Sequence, residues 1–420
     1  MSEKCFFAAD IMLPEGCDMK KWSVVACDQY TSEPEYWRRV DAFVGDAPST
    51  LRMIVPEQYL NDPDVGARIA SVHAAMEDYT LSGAFTTLED AMIYVRRTQD
   101  DGAVRRGLVG MIDLEKYDYN KGSQSLIRAT EGTVVERIPP RLRVRDGAKL
   151  ELPHVMLLID DPGDTVIGPL EGGAGEKVYD FDLMERGGHI EGRLLSDGQK
   201  ASVEAALDAL ADRDSFAARY GADKGVLLFA VGDGNHSLAT AKEHFERIKA
   251  RIGVERAACH PARFALCEVV NVHDAALKFE PIHRVVFNVE PADLLGALRE
   301  HIMSLAPCGY APQRITAVCG GERCDIEIPN PDCNLAVGTL QRFLDEYIAS
   351  SGGKIDYIHG EDVVSSLTGE AGDRVGFLLP PVKKTDLFDT VVLDGVLPRK
   401  TFSMGHAHDK RFYLECRAID

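Results

Sequence analysis

The chain has 420 residues, enough for two or three domains, and a near-average composition of 45% hydrophobic and 27% charged residues that excludes a disordered or fibrous class. Against 47 Lys and Arg stand 67 Asp and Glu, a net charge of −20 that repels polyanions, so a nucleic-acid partner is not expected. A small anion remains compatible with this charge, because local donors outweigh a screened global field.

The ten cysteines are scattered, with no CxxC. No signal peptide opens the chain, so reduced thiols and a cytoplasmic location are expected. No run of about 18 apolar residues occurs, so no membrane span or membrane partner is expected.

In chain order, Trp22–Cys27 reads as a short strand ending in the polar turn Asp28–Ser32. A helix opens at Pro34, with Ser32 suited to its N-cap. Residues 64–82 carry apolar positions at helical spacing, and 91–97 alternate as a strand. The run 107–114 is apolar enough for a strand buried on both faces. Residues 116–145 are polar and Arg-rich, and Pro139-Pro140 favours a shaped loop over a helix. Strands are expected at 155–160, 225–231 and 264–272, and helices at 200–220 and 238–251. Further on, 292–306 and 340–350 read as helices, 314–319 and 324–328 as a hairpin, and 375–379, 400–404 and 411–417 as strands. The expected domains are 1–285 and 286–420, the first binding ligand and the second carrying a C-terminal motif that returns to the site.

Three clusters carry candidate chemistry. The first is the turn Gly232-Asp233-Gly234-Asn235-His236-Ser237, set between an apolar strand and a helix. Glycines let backbone approach an anion, and the helix start offers N–H groups and the positive end of its dipole. Asp233 suits a Mg2+ ion or a proton, and His236 suits acid/base work or a phosphate oxygen. Asp, Asn and Ser are also ordinary cap residues. The turn is neither a Walker loop nor a dinucleotide fingerprint.

The second cluster spans Ile127–Arg141, where Arg128, Arg137 and Arg141 alternate with Thr130, Thr133 and Glu131. Arginine makes bidentate contacts to phosphate, threonine adds hydrogen bonds, and Glu131 suits a base or metal ligand. The third is Pro398–Gly405, with Arg399, Lys400, Thr401 and Ser403 suited to an anion. Two weaker candidates are His189 with Glu191 as metal ligands and Cys27 as a nucleophile.

The runs IRATEGTVVERIPPR, VGDGNHSLATA, PIHR and LPRKTFSMG…KRFYLECR, spread over nearly the whole chain, resemble the bacterial domain-of-unknown-function family 1015. That family's usual turn is Asp-Gly-His-His-Arg; here Asn235 replaces the first His and Ser237 the Arg. The turn is also similar to that of the ParB/sulfiredoxin-like superfamily, which includes free serine kinases and CTP-binding partition proteins. The resemblance implies an α/β (α+β mixed sheet) fold, with a ParB-like core and large N- and C-terminal elaborations. It further implies a phosphotransferase using Mg2+ and ATP or ADP on serine, phosphoserine or a similar phosphorylated small molecule. Asp233 and His236 would serve the transfer, and the missing Arg leaves its phosphate contact to Arg128, Arg137, Arg141 or Lys400. A phosphoserine phosphatase and a non-catalytic nucleotide-binding regulator are the alternatives, and a homodimer is compatible with all three.

Overall fold

The computed structural model describes residues 4–420 except 134, 174, 370 and 371. It is a mixed α/β protein, and its contacts divide it into two units. The first comprises the residues up to Ala129, Thr133–Leu277 and His406–Asp420; the second comprises Thr130–Gly132 and Lys278–Gly405. The C-terminal stretch from His406 thus packs with the first unit, whereas the sequence division grouped it with 286–405.

The first unit is built on a ten-stranded mixed sheet. At its centre Phe264–Asn271 pairs antiparallel with Val104–Asp113 and parallel with Met156–Ile159. Phe229–Asp233 follows, antiparallel to Met156–Ile159 and parallel to Ile127–Ala129. Side chains alternate between faces along each strand. In the central strand Ala265, Cys267 and Val269 therefore join one core with Leu157, Phe229, Leu238 and Phe245. Leu266 joins another with Val24, Ile93, Phe412 and Tyr413. Burial on both faces explains why the central strands are nearly continuous apolar runs.

Several elements differ from expectation for local reasons. Residues 19–22 form a short helix, because the Asp18 side chain accepts from the Lys20 N–H at 3.0 Å and caps it. The helix from Pro34 has Glu33 at its N-cap, with no side-chain capping bond, so Ser32 plays no such part. Residues 138–145 are helical despite Pro139-Pro140: both prolines sit in the first turn, where no N–H is needed. The expected helix at 200–220 is two, Asp197–Leu210 and Arg213–Tyr220, because Asp212 stops one and caps the other through the Ser215 N–H at 2.8 Å. The strand expected from 225 begins at Phe229. Residues 411–416 form a buried strap, with isolated bridges from Phe412 to Val25 and from Cys416 to Met12.

The second unit has a six-stranded sheet ordered about Phe279–Phe287, including the hairpin of Gln313–Cys319 and Glu322–Ile328. Its longer helices are Pro291–Ser304 and Ala336–Ser351. None of the ten cysteines is in a disulfide; Cys5, Cys267, Cys333 and Cys416 are buried, while Cys259, Cys308 and Cys324 are exposed. Among the described residues no helix is long and apolar enough to cross a membrane.

Candidate phosphate site

The turn 232–237 is shaped by its two neighbours. Phe229, Ala230 and Val231 are fully buried and pin the strand in the sheet. The pairing with Met156–Ile159 slips between Val231 and Asp233, a bulge at Gly232, and the strand ends at Asp233. Gly234 then takes the left-handed conformation, φ +79° and ψ 26°, at the N-cap of helix Asn235–Ile252. A Cβ there would lie 3.1 Å from the Val155 backbone, so glycine is required by conformation and by space. The long helix places the positive end of its dipole at this turn.

Polar side chains from distant parts of the first unit converge on it. Lys410 Nζ lies 3.4 Å from Asp233 Oδ2, both side chains mostly buried. Ser237 Oγ lies 3.0 Å from His154 Nε2, and the Tyr413 hydroxyl lies 2.8 Å from His154 Nδ1. The same hydroxyl accepts from the Cys27 N–H at 3.2 Å. The phenol is also hydrogen-bonded to the Cys27 side chain. His154 thus lies between two hydroxyls, its Nε2 facing Ser237 Oγ and, at 3.9 Å, Asp28 Oδ2.

Burial pushes the Asp28 carboxyl up, but His154, the Gln29 amide and Lys410 together hold it below its usual range, so it stays ionised. Burial, reinforced by Cys27, raises the Tyr413 phenol far above its ordinary value and keeps its proton in place. Burial and the neighbouring Asp28 push the Cys27 thiol up to about 12, which removes it as a thiolate nucleophile.

The other expected site residues fare differently. Arg128 is buried and donates to the carbonyls of Ser125, Gly225 and Val226. Its guanidinium closes the loop before Phe229. Arg137 is exposed at the N-cap of helix Ile138–Arg145, and its carbonyl accepts from Arg141. Arg141 pairs with Glu57 at 2.7 Å and lines a cavity beside Ser237. The Thr133 hydroxyl is buried without a hydrogen-bond partner among the described residues.

Thr130 and Glu131 belong to the second unit, where Leu397 N–H donates to the Thr130 carbonyl and Glu131 bridges to Leu397. Arg399 pairs with Asp345 at 2.5 Å, and the carbonyls of Arg399 and Lys400 accept from buried Arg284. Thr401 and Ser403 donate to the carbonyls of Pro398 and Gly405. Polar groups of the 398–405 motif are therefore taken up by its own turn and by Asp345 and Arg284, while the Lys400 side chain is exposed. His189 lies between Asp180 and Asp182 on a strand pair, at 2.7 and 2.8 Å, as a surface ion cluster.

The sequence reading missed His154, Asp28, Tyr413 and Lys410 as members of the site. Asp28 was visible in its polar turn, and Lys410 and Tyr413 in the C-terminal run, but nothing in the sequence tied them to residue 233. His154 has no local motif at all.

The family profile described as "Protein of unknown function (DUF1015)" matches residues 14–347. No curated protein matches. Among solved structures, a free serine kinase in complex with AMP is 12% identical over 72% of this chain and 90% of its own, with a TM-score of 0.37. A conserved hypothetical protein from Pyrococcus furiosus is 11% identical over 72% and 90%, with a TM-score of 0.33. SbnI with C-terminal truncation from Staphylococcus aureus is 9% identical over 71% and 83%, again at 0.33. At these scores the superpositions carry no argument about this chain.

Proposed function

The chain belongs to the DUF1015 family of proteins of unknown function, and from its site we propose a phosphotransferase that uses a nucleotide and Mg2+ on serine, phosphoserine or a similar small metabolite. One observation carries the reading: a left-handed glycine opens an 18-residue helix within a turn whose Asp233 faces the Lys410 ammonium at 3.4 Å. Phosphoryl transfer asks a protein mainly for positioning and charge neutralisation. The helix dipole and Lys410 supply positive charge for phosphate oxygens, and the Ser237 hydroxyl lies in the first turn of the helix. Lys410 thus takes the part expected of Arg128, Arg137, Arg141 or Lys400. His236, in the first turn of the helix, is the candidate to hold or move the acceptor's proton.

The donor set fits Mg2+. Among the described residues no group of three or more His, Cys, Asp or Glu forms a metal cage. Mg2+ in nucleotide sites does not need one: one or two carboxylates suffice, with phosphates and water completing the shell. Asp233 is the carboxylate that would hold it. Bound there, the ion would neutralise charge on the phosphate groups.

Phosphorus NMR of the protein with Mg2+ tests this reading, run with serine plus ATP, serine plus ADP, phosphoserine plus ADP, and phosphoserine alone. Phosphate appearing on serine, or passing from phosphoserine to a nucleotide, is the expected result. Free phosphate from phosphoserine alone would replace the transferase by a phosphatase. Unchanged spectra in all four would overturn turnover of serine and leave a nucleotide-binding regulator.

A further inference from the structure

Beside Ser237, under the first turn of helix Asn235–Ile252, lies a cavity of about 160 Å3 within the first unit. Its walls are mostly apolar: Met53, Val55, Leu60, Met76 and Leu150 face it, all buried. Its volume is close to that of cavities that take up a small apolar molecule the size of benzene.

The polar groups at the cavity are arranged in a particular way. Arg141 is matched by Glu57 at 2.7 Å, and Arg145 by Glu151 at 2.6 Å. Glu151 also takes Arg417 at 2.9 Å and the Leu266 N–H at 2.8 Å. These charges are paired with one another, so a charged guest would have to break a pair or enter unmatched, at a desolvation cost. What the lining does offer is hydrogen bonding at one end. Ser237, Tyr413 and His154 line the cavity together and form one hydrogen-bonded cluster there. An apolar body with a single polar head at that end matches the apolar walls and this cluster.

We propose that this cavity binds a small neutral molecule with an apolar body about the size of one aromatic ring and one hydrogen-bonding head, the head lying against Ser237. Serine does not match this site, because its ammonium and carboxylate would each meet an apolar wall or have to break an Arg–Glu pair. The binding claim does not depend on phosphoryl transfer, so the two readings fail separately.

Phenol, benzene, benzoate and serine are the probes, titrated into the full chain and followed by proton–nitrogen NMR and by thermal unfolding. Phenol is expected to bind saturably and raise the melting temperature. Benzene should bind about tenfold more weakly, the loss of one net hydrogen bond. Benzoate and serine should give no saturable shift of the cavity resonances. Ala241→Leu, which puts a larger side chain into the cavity from the helix, should keep the fold and remove phenol binding; Val55→Ile, a smaller change, should weaken it. Ser237→Ala should bring phenol down to the level of benzene. The proposal is overturned if phenol shows no saturable binding, if benzoate binds as well as phenol, or if both filling variants fold and bind phenol normally.

Discussion

At the residue scale the site depends on a few side chains whose partners fix what they can do. His236 sits in the first turn of its helix, outside the apolar cores. His236→Ala is therefore expected to abolish turnover while leaving the unfolding midpoint in urea nearly unchanged; normal turnover would remove it from the chemistry. Lys410 is different, because it is the cation facing Asp233. Lys410→Met should raise the KM for the phosphorylated substrate by about tenfold or more, the effect of losing a bond to a charged group. A loss confined to kcat, with KM unchanged, would mean that Lys410 does not meet the ground-state phosphate. Arg128 shows the opposite case, a candidate anion binder taken up by three backbone carbonyls.

At the element scale the helix Asn235–Ile252 links the turn to the core. Its start depends on Gly234, where any side chain would be strained by the positive φ and by the Val155 backbone 3.1 Å away. Gly234→Ala should cost roughly 1–2 kcal/mol from the left-handed conformation alone, measured by denaturant unfolding, with the turn displaced and ligand affinity reduced. Further along, His244 is buried on the same helix. Burial first, and then the charge of Arg145, lower its pKa from 6.5 to about 4. In the unfolded chain this histidine takes a proton as pH falls through 6.5, while the folded form refuses it until about 4. Stability should therefore be fully present above pH 6.5 and decline as pH falls through this window. His244→Phe should flatten that part of the unfolding profile, and an identical profile in the variant would show that another group sets it.

At the scale of the molecule, the C-terminal strap is held in the first unit by a buried charged network. Arg411 pairs with Glu268 and, at 2.5 Å, with Glu415. Arg105 approaches Glu268 at 3.6 Å, and Gly107 leaves space for the Glu268 carboxylate, which a Cβ would meet at 2.3 Å. Burial pushes Glu268 up, but Arg105 and Arg411 prevail and keep it ionised. Arg97 donates to the carbonyls of His408 and Lys410, and Arg105 to that of Asp409. Trp22 and Ser23 fix the other side through the carbonyls of Leu414 and Tyr413. This network positions Lys410 and Tyr413. Glu268→Gln leaves buried arginines uncompensated and should destabilise the fold by about 3–5 kcal/mol, seen as a lowered urea midpoint. An unchanged midpoint would mean that apolar packing of Phe412 and Leu414 holds the strap alone.

Much of this protein is determined by local sequence. Apolar runs at 229–231 and 264–270 specify buried strands, because a strand covered on both faces must be apolar throughout. Gly234 before a helical pattern specifies the turn, since few other residues adopt that conformation. The family is readable from motifs for the same reason: each is a short run whose identity does not depend on distant partners. The local reading was weaker where a single residue redirects the chain, as Asp18, Asp212 and the first-turn prolines do. What the tertiary structure alone decided is which charges are available. Arg128 and Lys410 are both cations in motif-bearing runs, yet one is committed to carbonyls brought from residues 225 and 226 and the other is carried to Asp233 by a strap. His154 and Asp28 join Ser237 only through sheet pairing and packing across the chain. Hydrogen-bond and ion-pair energies fall off within a few ångströms, so the role of a polar residue depends on its neighbours in space, which long-range packing supplies.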